Sequence, residues 1–379
     1  MDTNHLHDDT IAPLRLAQRA QQHRSFTQNL RALHDGLARR HPEVACVAVA
    51  LFDTKTGELS AYAHSGGIAP APYSARLADL PALAGAAQNR AAHCIADLHG
   101  EQTSLFLALY PIAPGRPRSC RVQPLLDGED LIGFVFFASP QPGGFGGKLG
   151  EQLDQFAQLV ATIVAAELAA LRSLIGAIHL ARSMAHLRDV ETGTHLDRMA
   201  RYARLIAQRV APLHARDEEF VEHVFLFAPL HDIGKVGIPD SILLKRGRFD
   251  ADERRIMQSH VEKGMELIAT LIDDLRLRAL HNVDVLRNIV AGHHERLDGS
   301  GYPRGLSGEQ LALEARITAV ADVFDALTGP RPYKRTWSND EAFAELQRDA
   351  AAGRLDAQCV AALWESQREV EAIQRRFRI

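Results

Sequence analysis

The stretch HHERLDGSGYPRG, His293 to Gly305, sets two adjacent imidazoles and an acid against a Gly-Tyr-Pro turn. A histidine pair alone carries little information. This one is accompanied, at ordered intervals, by ETGTH at 191–195, HDIGK at 231–235, His260 and DVFDAL at 322–327. Between these blocks, in 196–229, 254–272 and 283–292, apolar residues recur at spacings of three and four, the signature of amphipathic helices. The part of the chain beyond Ala185 therefore reads as all-α. Dispersed imidazoles and acids on separate helices would have to converge on one pocket.

The blocks differ in weight. Glu191 and His195 are four apart, hence on one face if a helix has begun there, and such a pair can reach one ion. His231 and Asp232 point about 100° apart on a helix, so they share a ligand only at a crevice near a helix terminus. The preceding FLFAPL is apolar and would insert this ionisable pair into core. A buried Asp without a partner is costly enough to call for a metal or a base.

Outward from these blocks, 379 residues predict two domains, and 46% apolar with 24% charged residues describes a globular protein with ample core. A formal charge of −4 gives no global reason for nucleic-acid binding, so a polyanionic ligand must be held by a local cluster of cations and metals. Cys46, Cys94, Cys120 and Cys359 are scattered without C-x-x-C pairing, which argues against a disulfide framework or zinc ribbon. The leader MDTNHLHDDT lacks the features of a signal or transit peptide, and no apolar run reaches membrane-span length. A cytoplasmic location without membrane contact is expected.

Residues 1–24 read as a polar tail. Phe26, Leu30, Leu33 and Leu37 predict a helix from Ser25 to about Arg40. VACVAVALFDTKTGEL then reads as strand, turn at Thr56-Gly57, and strand from Leu59; 65–100 reads as loops and a short helix. TSLFLALYPI predicts a further strand, and SCRVQPLL through GEDLIGFVFFASP a hairpin turning at Asp127-Gly128. PQPGGFGGK matches neither G-x-G-x-x-G nor a P-loop and reads as a connector. In layout, 25–168 resembles a GAF domain, which implies an antiparallel sheet with helices that binds a small molecule or dimerises. No residue here names a ligand; His93 and Cys94, the two that could hold a chromophore or haem, read as structural.

From Lys148 to about Met184 the chain reads as one proline-free helix. Leu149, Leu153, Phe156, Val160, Ile163, Ala170 and Leu174 follow the alternating four-and-three spacing of a coiled-coil seam, which Glu167 interrupts. A parallel homodimer stalk is expected, against the alternative of a helix packed on its own domain.

HDIGKVGIPDSILLK, SHVEKG, HHERLDGSGYPRGLSGE and ARITAVADVFDALTGPRPYK, together with RDVETGTHLDR, resemble an HD-GYP domain, a branch of the HD phosphohydrolases. The resemblance implies an α+β chain: a GAF-like sensor over 25–148, a linker helix over 149–184 and an all-α HD-GYP bundle over 185–379. It implies the metal ligands Glu191, His195, His231, Asp232, His260, His293, His294 and Asp322. These suit two divalent ions bridged by Asp232, or three with Glu191. Imidazole and carboxylate donors without thiolate favour iron or manganese.

Paired ions suit phosphodiester hydrolysis because they generate hydroxide near neutral pH and stabilise both attacking and leaving oxygens. Lys235 is the candidate to face a non-bridging phosphate oxygen in the reaction at Asp232. Arg331 and Lys334, three apart, would clamp a second phosphate. Tyr302 is placed at the lip of the site, against substrate or as partner surface, with no catalytic proton assigned. Glu295 and Asp325 read as acids behind the ligands. The implied activity is hydrolysis of cyclic di-GMP to pGpG and on to GMP, and no residue is seen that would read base edges, which leaves cyclic GMP-AMP open. A catalytically weak nucleotide- or protein-binding signalling module is the competing reading. The implied protein partner of the GYP loop is a diguanylate cyclase or another signalling protein.

Overall fold

A computed structural model describes residues 25–66, 74–98, 117–145, 147–186, 193–245, 247–274, 283–329 and 336–377. They form two compact units that divide within one long helix, between Ala169 and Ala170.

The first unit opens on helix α1, Phe26–Ala38, whose N-terminus is closed by a reciprocal Ser25/Gln28 capping box. Strands β1, Cys46–Asp53, and β2, Glu58–His64, follow, turning at Gly57 with φ +72. Next come β3, Ser74–Arg76, helix α2, Pro81–Asn89, and β4, His93–Ile95. The unit continues with β5, Ser119–Asp127, and β6, Asp130–Ser139. The strands form one antiparallel sheet of order β3-β2-β1-β6-β5-β4. The expected hairpin turns are present, Gly128 supplying φ +60 between β5 and β6. TSLFLALYPI and the 1–24 tail lie outside the described residues.

Both faces of the sheet are covered. On one, Ala48, Ala50, Leu59, Val122, Phe134 and Phe136 cluster with Leu83 and Ala86 of α2. On the other, Phe26 of α1 packs on Tyr62 at 5.1 Å between ring centroids. Each large apolar side chain so buried contributes about 1.5–3 kcal/mol relative to exposure. His93 and Cys94 are exposed on β4.

Helix α3 runs without a break over Lys148–His186. Its start serves the sheet: Phe156 meets Phe137 at 5.8 Å, and Leu153, Ala157, Val160, Val164 and Leu168 are buried within the single chain. Leu153 and Val160 already have partners in their own unit, while Leu149 and Ile163 are half-buried. A helix covering a sheet and a helix in a coiled coil show the same three-and-four spacing, because either buries one stripe.

The described residues of the second unit form helices joined by turns and loops. Its elements are α4, Gly193–Val210; α5, Glu218–Phe227; α6, Asp240–Leu243; α7, Ala251–Gln258; and α8, His260–Asp274. They continue as α9, Val283–Gly292; α10, Leu313–Thr328; α11, Asn339–Ala351; α12, Ala357–Trp364; and α13, Gln367–Arg376. Helix α4 is central, burying Met199, Tyr202, Ala203 and Ile206, with Tyr202 set edge-on to Phe324 of α10 at 5.2 Å. An antiparallel sheet with helices followed by an all-helical region is the expected fold class. Among the described residues no helix is long and apolar enough to cross a membrane.

Candidate metal centre

His231 and Asp232 join two short 3-10 turns, Ala228–Leu230 and Ile233–Gly237, at the crevice their adjacency requires. Gly234 makes that crevice. A Cβ there would collide with the His260 carbonyl group, lying 2.8 Å from its carbon, so only glycine lets this segment press against the start of α8. His260 opens α8, and His293 and His294 form the turn just after α9. Gly292 brings α9 onto α10 in the same way, since its Cβ would stand 2.8 Å from that of Ala315. His195 lies in the first turn of α4 and Asp322 midway along α10.

Their donor atoms fall into two groups, each with all members within 4.8 Å of one another: Asp232 with His260, His293 and His294, and His195 with His231 and Asp322. Asp232 lies at the junction. Its Oδ1 is 3.1 Å from His260 Nε2 and 3.6 Å from His293 Nε2, and its Oδ2 is 3.2 Å from His231 Nε2. His231 Nε2 is in turn 3.8 Å from Asp322 Oδ1.

Imidazole orientation is set from behind. His231 Nδ1 donates to Ala228 O at 2.9 Å, His260 Nδ1 to Met257 O at 2.8 Å, and His293 Nδ1 to Val290 O at 3.1 Å. His195 Nδ1 donates instead to Asp325 Oδ2 at 2.6 Å. With Nδ1 carrying the proton, each Nε2 is left to face the cluster, the arrangement metal-ligating histidines adopt.

The pocket's electrostatics fit a cation. His195 Nε2 is buried with no hydrogen-bond partner among the described residues, an arrangement that costs about 1–3 kcal/mol. Burial opposes ionisation of Asp232, but Lys235 and His231 outweigh it and hold the carboxyl well below the usual range. Burial likewise disfavours charge on His231, yet Asp232 overrides it and pushes the pKa up to about 9. Burial lowers His293 and, with His293 beside it, His294. Lys235 Nζ stands 2.6 Å from Asp232 Oδ2. Imidazoles and carboxylates gathered this densely, without thiolate, suit divalent metal ions.

The Gly-Tyr-Pro turn closes over one group. Tyr302 stacks on His294, with ring centroids 4.6 Å apart and planes at 29°, and its N–H donates to the His294 carbonyl at 3.2 Å. Glu295 anchors the loop from below by accepting the N–H groups of Arg304 at 2.8 Å and Leu306 at 3.0 Å. A Cβ on Gly301 would sit 2.6 Å from the Glu295 carbonyl carbon, so glycine is required there by close approach.

Seven of the eight candidate ligands therefore converge in two adjoining groups. Glu191, Arg331 and Lys334 lie outside the described residues. Sequence reasoning missed Gly234 and Arg198. The latter left a signal: it lies one turn after His195, as Asp325 lies one turn after Asp322, and the two meet.

A helical bundle holding two adjoining His/Asp groups defines a metal-centre domain. Comparison with known proteins gives a family match: residues 180–359 match the model of the HD domain. The chain is 44% identical over 199 residues to a cyclic di-GMP phosphodiesterase response regulator of Xanthomonas campestris, covering 52% of this chain and 49% of the relative. It is 45% identical over 159 residues to a 3′3′-cGAMP-specific phosphodiesterase of Vibrio cholerae, covering 42% and 28%. The chain thus spans half or less of the length of these relatives. The GAF domain of an Acinetobacter phosphoenolpyruvate-protein phosphotransferase aligns at 15% identity and TM-score 0.32, over 42% of this chain and 94% of that one.

Proposed function

We propose that this chain is a metal-dependent phosphodiesterase that hydrolyses cyclic di-GMP to pGpG and onward to GMP. The observation that carries the reading is Asp232 at the junction of the two donor groups, within contact distance of His231, His260 and His293. One carboxylate so placed is suited to bridge two ions. His231, His195 and Asp322 would hold one ion and His260, His293 and His294 the other, with Glu191 available for a third. Iron and manganese fit these donors best. When bound, such ions supply Lewis acidity and a nucleophile at neutral pH.

The chain's own residues do the rest. Lys235 is 2.6 Å from Asp232 and carries a positive charge to where a non-bridging phosphate oxygen would sit. Tyr302, stacked on His294, walls the entrance and offers its ring to a base or ribose. Arg331 and Lys334 would grip the second phosphate of the dinucleotide. The sheet unit would regulate this site through a small ligand, α3 would support a homodimer, and the GYP loop would engage a diguanylate cyclase or similar partner. A cytoplasmic location fits a soluble second messenger.

A second substrate reading has a specific support, since one relative named as a 3′3′-cGAMP-specific phosphodiesterase matches this region at 45% identity, as does one named a probable cyclic di-GMP phosphodiesterase. The test is anaerobic turnover of the purified chain, loaded with iron(II) or manganese(II), on each dinucleotide separately, with products resolved by chromatography. Cyclic di-GMP is expected to give pGpG and GMP, and Asp232→Ala to abolish turnover. Full activity in Asp232→Ala, or no hydrolysis of either substrate by metal-loaded protein, rejects the reading.

A further inference from the structure

His195 is held differently from its neighbours. His231, His260 and His293 each lean on a backbone carbonyl, whereas His195 leans on the carboxylate of Asp325. A carboxylate can pivot about its own bond, so its direction must be set by something else. Arg198 sets it: Nε donates to Asp325 Oδ1 at 2.7 Å and Nη2 to Oδ2 at 2.9 Å, a planar two-point fork. The remaining nitrogen, Nη1, donates to the Phe377 carbonyl at 3.1 Å. Arg198 and Asp325 are both buried, so the fork is not loosened by water.

Phe377 follows α13 and lies beyond residue 359, where the HD domain match ends. Its ring is also seated, 4.4 Å from the Arg201 guanidinium. Gly329 closes the other side, since a Cβ there would stand 3.0 Å from Arg198 Nη2. One line of contacts thus runs from Phe377 O through Arg198 and Asp325 to a buried His195 Nε2 that has no hydrogen-bond partner among the described residues.

We infer that Arg198 is a positioning residue that sets the ion affinity of the His195–His231–Asp322 group, and that the segment ending α13 holds it in place through the Phe377 carbonyl. The inference rests on the metal-binding part of the proposed function. It separates the two groups: in the other, His260 and His293 lean on backbone carbonyls and do not depend on this fork.

The experiment is manganese(II) binding to the full chain, followed by equilibrium dialysis with free ion read by electron paramagnetic resonance, for wild type, Arg198→Lys and Arg198→Met. Lysine keeps the charge but cannot fork. Loss of such support typically weakens an ion about 10–100-fold. One binding step in Arg198→Lys is expected to weaken by that factor while the other keeps its wild-type affinity, with metal-free circular dichroism unchanged. Unaltered isotherms in both variants overturn the inference, as does equal weakening of both steps in Arg198→Lys. Wild type that binds two ions but hydrolyses neither dinucleotide sinks the phosphodiesterase reading alone. Wild type that binds fewer than two sinks both.

Discussion

Gly234 and His260 touch backbone to backbone: a Cβ on Gly234 would lie 2.8 Å from the His260 carbonyl carbon and nearer still to its oxygen. This contact docks the His231-Asp232 segment on the helix that supplies His260, and it leaves Asp232 Oδ1 3.1 Å from His260 Nε2. Gly234→Ala must push the two elements apart. Overpacking of this kind costs about 1–3 kcal/mol. The expected result is a lower unfolding midpoint together with weakened ion binding at the Asp232 group, read by denaturation and metal analysis on the same sample. Wild-type metal content in Gly234→Ala would show that this contact does not set the site.

Ion binding is expected to release protons. In the metal-free chain Asp232 pushes the pKa of His231 up to about 9 from an ordinary 6.5, so near neutral pH the imidazole is protonated and cannot ligate. The His231–Asp232 attraction stabilises the metal-free fold fully below the ordinary value and is lost as pH rises through the raised one. Metal affinity runs the other way, rising over the same interval as the competing proton leaves. Calorimetric titrations in buffers of different ionisation enthalpy should show about one proton released per chain at neutral pH, on filling the group that holds His231, and none well above pH 9. Affinity that falls with pH across this window would contradict the assignment of His231 as a ligand.

How much of this the sequence discloses depends on the kind of constraint. HD, HHE and GYP are legible because metal-ligand chemistry needs those residue types at fixed places. Strand alternation and the Gly57 and Gly128 turns are legible because backbone geometry restricts them locally. Gly234 and Gly292 are not, because each is required by a neighbour distant in sequence that only the fold brings near. Arg198 was within reach, one turn from His195, but an arginine on a helix is usually a solvated charge. The spacing along α3 does not choose between its two readings, because burial against a sheet and burial against a second helix leave the same imprint.

Glu295 accepts the N–H groups of Arg304 and Leu306 with its two oxygens, 2.8 and 3.0 Å away, and is itself buried. Glu295→Gln keeps the volume but offers one acceptor oxygen, so one amide proton loses its partner, at a cost of about 1–3 kcal/mol. The loss falls on the loop that stacks Tyr302 on His294 rather than on the donor groups. Steady-state kinetics should show KM for the cyclic dinucleotide raised about 10-fold or more, with bound metal unchanged. A loss of metal with KM unaltered would place Glu295 in support of His294 instead.

Leu153 separates the two roles of α3. It is buried within one chain, in the stretch where Phe156 meets Phe137. If its partners are intramolecular, Leu153→Ala costs about 2–5 kcal/mol whatever the protein concentration. If it served a dimer seam, the loss would appear as weaker association, and the melting temperature would depend on concentration. The expected outcome is an equal drop in Tm in dilute and concentrated solution, with the sedimentation-derived mass unchanged from wild type. A dimer that Leu153→Ala dissociates would assign this turn of the helix to the subunit contact, and leave that face of the sheet to be covered by α1 alone.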